Sequence, residues 1–321
     1  MDKRHFLRLL AATPVAAALP TSAQQRYPDH AVRLIAPFAA GSTSDTSARF
    51  IAQYMAVALK QSVVVDNQPG ADGRIGMMAA RNAAPDGYTL VLGSWTNLAV
   101  NPILIKALPY DPLKDFKPVA GIGRSMLGIA VPGNSPRKTL ADLLDAARSR
   151  PRAVNFGNFG TGYRLAAEWL SSLSGAQFTH VPYKTTSQMN TDLAGSQIDA
   201  GMDGVTSLTP LVKSGQLRLL AVTGEQRHPE FPEVPTIKET YPEFSVYGWS
   251  ALMVRAEVPD EITARLAATV QAIMASPEGK AFAQRVGSEL LLRGTSEMRK
   301  YQVEQIETLR RVAEAAGMKP E

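Results

Sequence analysis

The chain has no cysteine in its 321 residues. Disulfide frameworks, thiol nucleophiles, iron–sulfur clusters and cysteine-held zinc are therefore excluded. Histidine is scarce, with four in all, and the metal-binding spacings H-x-x-x-H and H-E-x-x-H do not occur. A G-x-S-x-G elbow and a P-loop are also missing. Gly70, Gly73 and Gly76 form one glycine-rich run, and Gly157, Gly160 and Gly162 another. Neither has the G-x-G-x-x-G order of dinucleotide sites. Charge of either sign is modest, with 34 Lys+Arg against 29 Asp+Glu and a net charge of +5. The basic residues stand singly among acids, without a run suited to a phosphate backbone, so nucleic acid is not an expected partner. With 24 glycines and 22 prolines the chain is not of low complexity, and its length suits roughly two domains.

Long apolar runs are absent too. Leu9–Leu19 is short of the roughly 20 residues that span a bilayer; Pro14 interrupts it and Pro20 ends it. Lys3, Arg4 and Arg8 precede it and Thr21-Ser22-Ala23 follows, which predicts a cleaved secretory signal over residues 1–23. No cysteine follows to carry a lipid anchor, and the mature chain is expected to be soluble.

What is present is alternation. Val32–Pro37 reads as a buried strand, and from Ser44 the apolar spacing becomes helical through Ile51, Tyr54, Met55, Ala58 and Leu59. A strand over Ser62–Asp66, a helix over Gly73–Ala83 and a strand over Tyr88–Gly93 complete a β-α-β-α-β run, the pattern of a parallel sheet with covering helices. After a connection holding Pro102, Pro109, Pro112 and Pro118, the alternation restarts. Strands are predicted at Leu127–Val131, Ala153–Phe156, Thr179–Tyr183, Ile198–Met202 and Leu217–Val222. Helices are predicted from Thr139 to Arg148 and over Tyr163–Leu173. Two such runs predict two α/β lobes. Arg227–Tyr247, with Pro229, Pro232, Pro235 and Pro242, is expected to be an extended surface segment. Helices over Asp260–Ala275 and Ser296–Ala316 close the chain.

No catalytic set emerges, and no catalytic residue, cofactor or metal is expected. Two loops carry more promise. Phe38, Ala39, Ala40, Gly41, Ser42, Thr43, Ser44 and Asp45 join a strand to a helix with small residues and hydroxyls. Such a turn brings backbone N–H groups to an anion at the positive end of a helix. The same residues read equally as an ordinary cap, with Ser42, Thr43 or Ser44 at the N-cap and Asp45 in the first turn. Asn158, Phe159, Gly160, Thr161, Gly162 and Tyr163 form a second strand-to-helix connection of this kind in the other lobe. Phe38, Phe159 and Tyr163 either close over a ligand or belong to the core. Arg124 and Arg164 are candidate countercharges or plain surface residues.

These blocks resemble the Bug-type substrate-binding proteins of tripartite tricarboxylate transporters. The resemblance rests on Tyr27-Pro28, Leu34-Ile35-Ala36-Pro37-Phe38-Ala39-Ala40-Gly41, Val63-Val64-Val65-Asp66-Asn67-Gln68-Pro69-Gly70-Ala71 and Ala84-Pro85-Asp86-Gly87-Tyr88-Thr89-Leu90. It continues through Leu108-Pro109-Tyr110-Asp111-Pro112, Asp115-Phe116, His180-Val181-Pro182-Tyr183-Lys184, Leu220-Ala221-Val222-Thr223 and Glu233-Val234-Pro235-Thr236. It implies a two-lobed periplasmic binding protein fold of type II, each lobe a mainly parallel sheet with flanking helices, and a ligand cleft between. Residues 24–124 with 225–321 would form one lobe and residues 125–224 the other.

The resemblance further implies a periplasmic receptor, acting as a monomer, that captures a small carboxylate for membrane permease subunits or for sensing. A periplasmic enzyme acting on a small carboxylic acid is the alternative. By the same resemblance the two loops hold the ligand and Asp203 lies near the cleft. This chain departs from the family pattern at Gly41-Ser42-Thr43-Ser44-Asp45, where bare glycines are usual. In the second loop, which looks about two residues shorter, Arg164 stands where a histidine is expected. Thr185 replaces a glycine common after the Tyr183-Lys184 pair.

Overall fold

The computed structural model describes residues 27–321, so the expected signal over residues 1–23 lies outside the described residues. Strand β1 (Val32–Ala36) leads into α1 (Thr43–Leu59), then β2 (Val63–Asn67), α2 (Arg74–Arg81) and β3 (Thr89–Ser94). A π-helical turn over Thr96–Val100 and the short α3 (Asn101–Leu104) precede the 17-residue strand β4 (Phe116–Pro132). Next come α4 (Leu140–Ser149), β5 (Val154–Phe159), α5 (Gly160–Ser174), β6 (Phe178–Tyr183), α6 (Thr186–Ala194), β7 (Ala200–Gly204), α7 (Val205–Lys213) and β8 (Leu217–Val222). The last third holds β9 (Tyr247–Arg255), α8 (Asp260–Ala275), α9 (Pro277–Arg285), β10 (Glu289–Leu290) and α10 (Thr295–Ala315).

The strands form one curled sheet in the order β2-β1-β3-β9-β4-β7-β5-β6, with β8 and β10 also paired to β4. The expected parallel ladders are present at both ends, β1 with β2 and β3, and β5 with β6 and β7. The strands that join the ends run antiparallel. β4 serves both halves: Phe116–Met126 pairs with β9, and from Leu127 onward the chain pairs with β7 and β8. One strand thus runs through two lobes. Parallel strands are covered on both faces, and their near-continuous apolar runs, such as Val32–Ala36, reflect that burial.

Local chemistry sets the helix starts. The Ser42 hydroxyl accepts the Asp45 amide at the head of α1. Thr139 caps α4 where the sequence places the helix start, and the structure adds a capping box with Asp142. α1 buries Ile51, Met55 and Leu59 among Leu34, Leu90 and Leu266, each contributing about 1.5–3 kcal/mol on removal from water.

The proline-rich stretch after β8 corrects the expectation of a surface segment. Phe231, Val234, Ile237, Phe244 and Val246 are all buried, and Ile237–Glu239 makes a 3₁₀ turn capped by Thr236. The prolines keep the chain extended, and the apolar residues between them anchor it to the core. The strand Tyr247–Arg255 that follows is read only from the structure.

Candidate functional site

The carboxyl ends of β1 and β5 feed α1 and α5 respectively, which brings two helix N-termini to the region between the halves of the sheet. That is where open α/β sheets bind ligands. Aromatic contact joins the two turns: the Phe38 ring meets Phe159 edge-on at 6.1 Å between centroids, and Phe159 lies 6.1 Å from Tyr163. Tyr163 in turn meets Trp95, beyond β3, at 6.0 Å.

The first turn is held by its own acid. Gly41 sits at φ 81, a left-handed conformation that only glycine adopts readily, and its amide donates to Asp45 Oδ2 at 2.9 Å. Asp45 is buried and also accepts Arg49 Nε at 3.0 Å and Asn67 Nδ2 at 2.9 Å, while Asn67 Nδ2 donates to the Phe38 carbonyl at 3.2 Å. Burial opposes its ionisation, but Arg49, the Gly41 amide and Asn67 together hold the Asp45 carboxyl below the usual range. The structure therefore places Asp45 as the brace of the turn and Ser42 as its cap. Thr43 and Ser44, the first two helical positions, have amides with no intrahelical acceptor. Ser44 Oγ is buried without a hydrogen-bond partner. Ala40 and Gly41 are exposed at the rim.

The second connection has no loop residues: β5 ends at Phe159 and α5 begins at Gly160, at φ 71. Asn158 is buried, and its side chain is spent on His180 Nδ1 at 3.1 Å, with His180 Nε2 3.2 Å from Glu168 Oε1. Thr161 Oγ1 donates to Asn101 Oδ1 at 2.9 Å. Gly162 lies so close to Trp95 and Thr96 that a Cβ there would stand 2.8 Å from both. The first turn of α5 therefore docks directly on residues that follow β3.

Asp203, at the end of β7, is buried, with its carboxylate accepting Asn190 Nδ2 at 2.8 Å and the Gly204 amide at 2.7 Å. Burial pushes its pKa up to about 6. Desolvation and then the Asp203 charge raise the Tyr163 phenol well above its ordinary value, which puts the two groups in electrostatic range. Arg124 and Arg164 are not free countercharges. Arg124 pairs with Glu289 at 2.7 Å over the Tyr247 ring, and Arg164 pairs with Glu321 at 3.2 Å.

Asp72, Trp95, Thr96 and Asn101 were outside the sequence-derived set. The one signal in the sequence is the run Gly70-Ala71-Asp72-Gly73, an acid enclosed by glycines. Among the described residues no group of three or more His, Asp and Glu side chains is placed to hold a metal ion. The described histidines are each engaged by neighbours: His30 by Asp29 and Tyr88, His180 as above, and His228 by the Glu230 amide.

A family model described as "Tripartite tricarboxylate transporter family receptor" matches residues 47–318. Protein BugT of Bordetella pertussis is 35% identical over 240 residues, covering 74% of this chain and 73% of its own. Among solved structures, an R. palustris protein with adipate superposes with a TM-score of 0.87 at 32% identity, covering 92% of this chain and all of its own. MatC from Rhodopseudomonas palustris, with bound malate, has a TM-score of 0.82 at 27% identity, covering 89% of this chain and 99% of its own. Among the described residues no helix is long and apolar enough to cross a membrane.

Proposed function

The chain belongs to the tripartite tricarboxylate transporter receptor family, and from that premise we propose that it is a periplasmic receptor for a small carboxylate. The observation that supports this reading is the edge-on contact of Phe38 with Phe159, which brings together the two turns that lead into α1 and α5. Each terminus supplies unpaired N–H groups and partial positive charge, suited to an anion. The adipate and malate in the two solved relatives support the ligand class.

In this reading the carboxylate lies on the Thr43 and Ser44 amides and Ser44 Oγ, with Phe38, Ala40 and Gly41 at the rim. Phe159, Gly160, Gly162 and Tyr163 close from the other side. Asp45, Asn158, Thr161 and Asp203 shape the site through the protein partners named above. The lobes divide at residues 124/125 and 224/225, a boundary supported by the change of β4 partners between Met126 and Leu127. Ligand binding shifts the open–closed equilibrium by its greater affinity for the closed form. The closed receptor then docks on permease subunits of a tripartite transporter, and the ligand leaves chemically unchanged. Residues 1–23 direct export.

Thermal unfolding against a panel of small carboxylates tests the reading. A receptor gains RT ln(1 + [L]/Kd), about 2.7 kcal/mol at a hundredfold excess over Kd, and returns the acid intact. An absence of any shift, or appearance of a product, counts against it.

A further inference from the structure

His180 lies directly behind the second turn. Strand β6 pairs in parallel with β5, and His180 stands beside Phe156, two residues before Asn158. Alternation along β6 divides its two faces. Phe178 packs with Phe156 and Trp169 on the α5 side, whereas Val181 and Tyr183 pack with Met189 and Leu193 of α6. His180 shares the α5 face, with the Phe156 ring 6.2 Å away. Of the charged groups on that face, Glu168 touches the imidazole, and Arg164, one helical turn earlier, pairs with Glu321. Strand β5 carries no titratable side chain. Asp192 of α6 accepts the Tyr183 hydroxyl at 3.0 Å on the opposite face.

The two contacts of His180 fix its proton. An amide nitrogen only donates, so His180 Nδ1, 3.1 Å from Asn158 Nδ2, is the acceptor. The ring hydrogen is therefore on Nε2, which donates to Glu168 Oε1 at 3.2 Å. That hydrogen bond holds the Glu168 carboxyl below its ordinary range, against the effect of burial. A second proton on the ring would set Nδ1–H against Asn158 Nδ2, donor against donor. The amide relieves this by turning over, so that Oδ1 accepts and Nδ2 moves to where Oδ1 now lies. Among the described residues Asn158 Oδ1 has no hydrogen-bond partner, so the turn breaks no other bond. Asn158 is buried at the end of β5, immediately before Phe159 and Gly160. Turning its amide replaces an acceptor by a donor, with a cation behind it. Both changes favour an anion at the second turn.

We propose that His180 is a positioning residue that couples ligand capture to the uptake of a proton. A carboxylate entering the cleft draws a solvent proton onto His180 Nδ1 through the Asn158 amide, and the proton returns to solvent when the ligand leaves. By linkage, a lower pH tightens binding. This rests on the carboxylate-receptor reading above.

The probe is whichever of acetate, succinate, malate, adipate and benzoate gives the largest thermal shift. Calorimetry at pH 7 in HEPES and in Tris, whose ionisation heats differ, counts the protons taken up. Wild-type protein is expected to take up about a third of a proton or more per acid bound, and to bind about fivefold tighter at pH 6 than at pH 8. His180→Gln keeps an amide for the same partners but has no titrating ring, so both effects should vanish. Asp203→Asn removes the other buried titrating group near the cleft and should retain them. In the wild type at pH 7, the nitrogen-15 signals of the His180 ring should move toward those of a charged imidazole as the acid is added. That readout depends on no variant. Equal affinity at pH 6 and pH 8, unmoved ring signals, or uptake that Asp203→Asn removes and His180→Gln keeps overturns the proposal and leaves the receptor reading standing. A panel in which no acid shifts unfolding overturns both.

Discussion

Thr161 Oγ1 donates to Asn101 Oδ1 across 2.9 Å, joining the helix that follows β5 to the segment that follows β3. Asn101 has no solvent exposure, so removing the donor leaves a buried acceptor unsatisfied wherever the two halves meet. Thr161→Val preserves shape and removes the hydroxyl. It is expected to weaken ligand binding by about 1.4 kcal/mol, or about tenfold, through a less favourable closed form. Thr161→Ser should restore most of the affinity. Calorimetric Kd values for the three proteins check this, and equal affinities would detach the contact from closure.

Gly41→Val addresses the first nest. At φ 81 a β-branched residue is strained by about 1–3 kcal/mol. A Cβ there meets nothing within 4 Å, so the fold survives. The turn relaxes toward negative φ and its amides lose their aim. Ligand-induced thermal shift should vanish while circular dichroism stays native. An undiminished shift would remove this turn from the site.

The buried carboxylate of Asp203 carries a pH signature. Its folded pKa of about 6 lies above the ordinary value of 3.8, so between about pH 4 and pH 6 the folded state holds the extra proton. Stability attributable to this group therefore falls as pH rises through that window, by about 2–3 kcal/mol in all. Asp203→Asn removes the titration. The Asn190 amide can turn over to present its Oδ1, which has no partner, to the new side chain. The stability difference between variant and wild type in urea unfolding should grow from pH 4 to pH 6 and then level off. A difference independent of pH would place the raised pKa elsewhere.

Much of this architecture was legible from the residues. The switch from the short apolar run Val32–Pro37 to helical spacing after Ser44 marks the first βαβ unit, and Thr139 marks the start of α4 by cap chemistry. The centre of the sheet was not legible. In β4 the stretch Gly121-Ile122-Gly123-Arg124 lacks strand periodicity, and its pairing with Trp249 and Ser250 comes from far along the chain. The buried anchors Phe231 and Phe244 were hidden by the prolines around them. At the site, both nests stand out as runs of small residues, but their internal commitments do not. That Asn158 serves His180, that Thr161 serves Asn101 and that Asp72 reaches α5 are tertiary facts without a local signature.

Hydrogen–deuterium exchange, read by segment with and without a carboxylate chosen by thermal shift, tests the shared enclosure most directly. Residues 40–44 and residues 160–163 should both slow on addition of the same acid, since both turns close on one ligand. Protection confined to one turn, or to neither, would contradict the account.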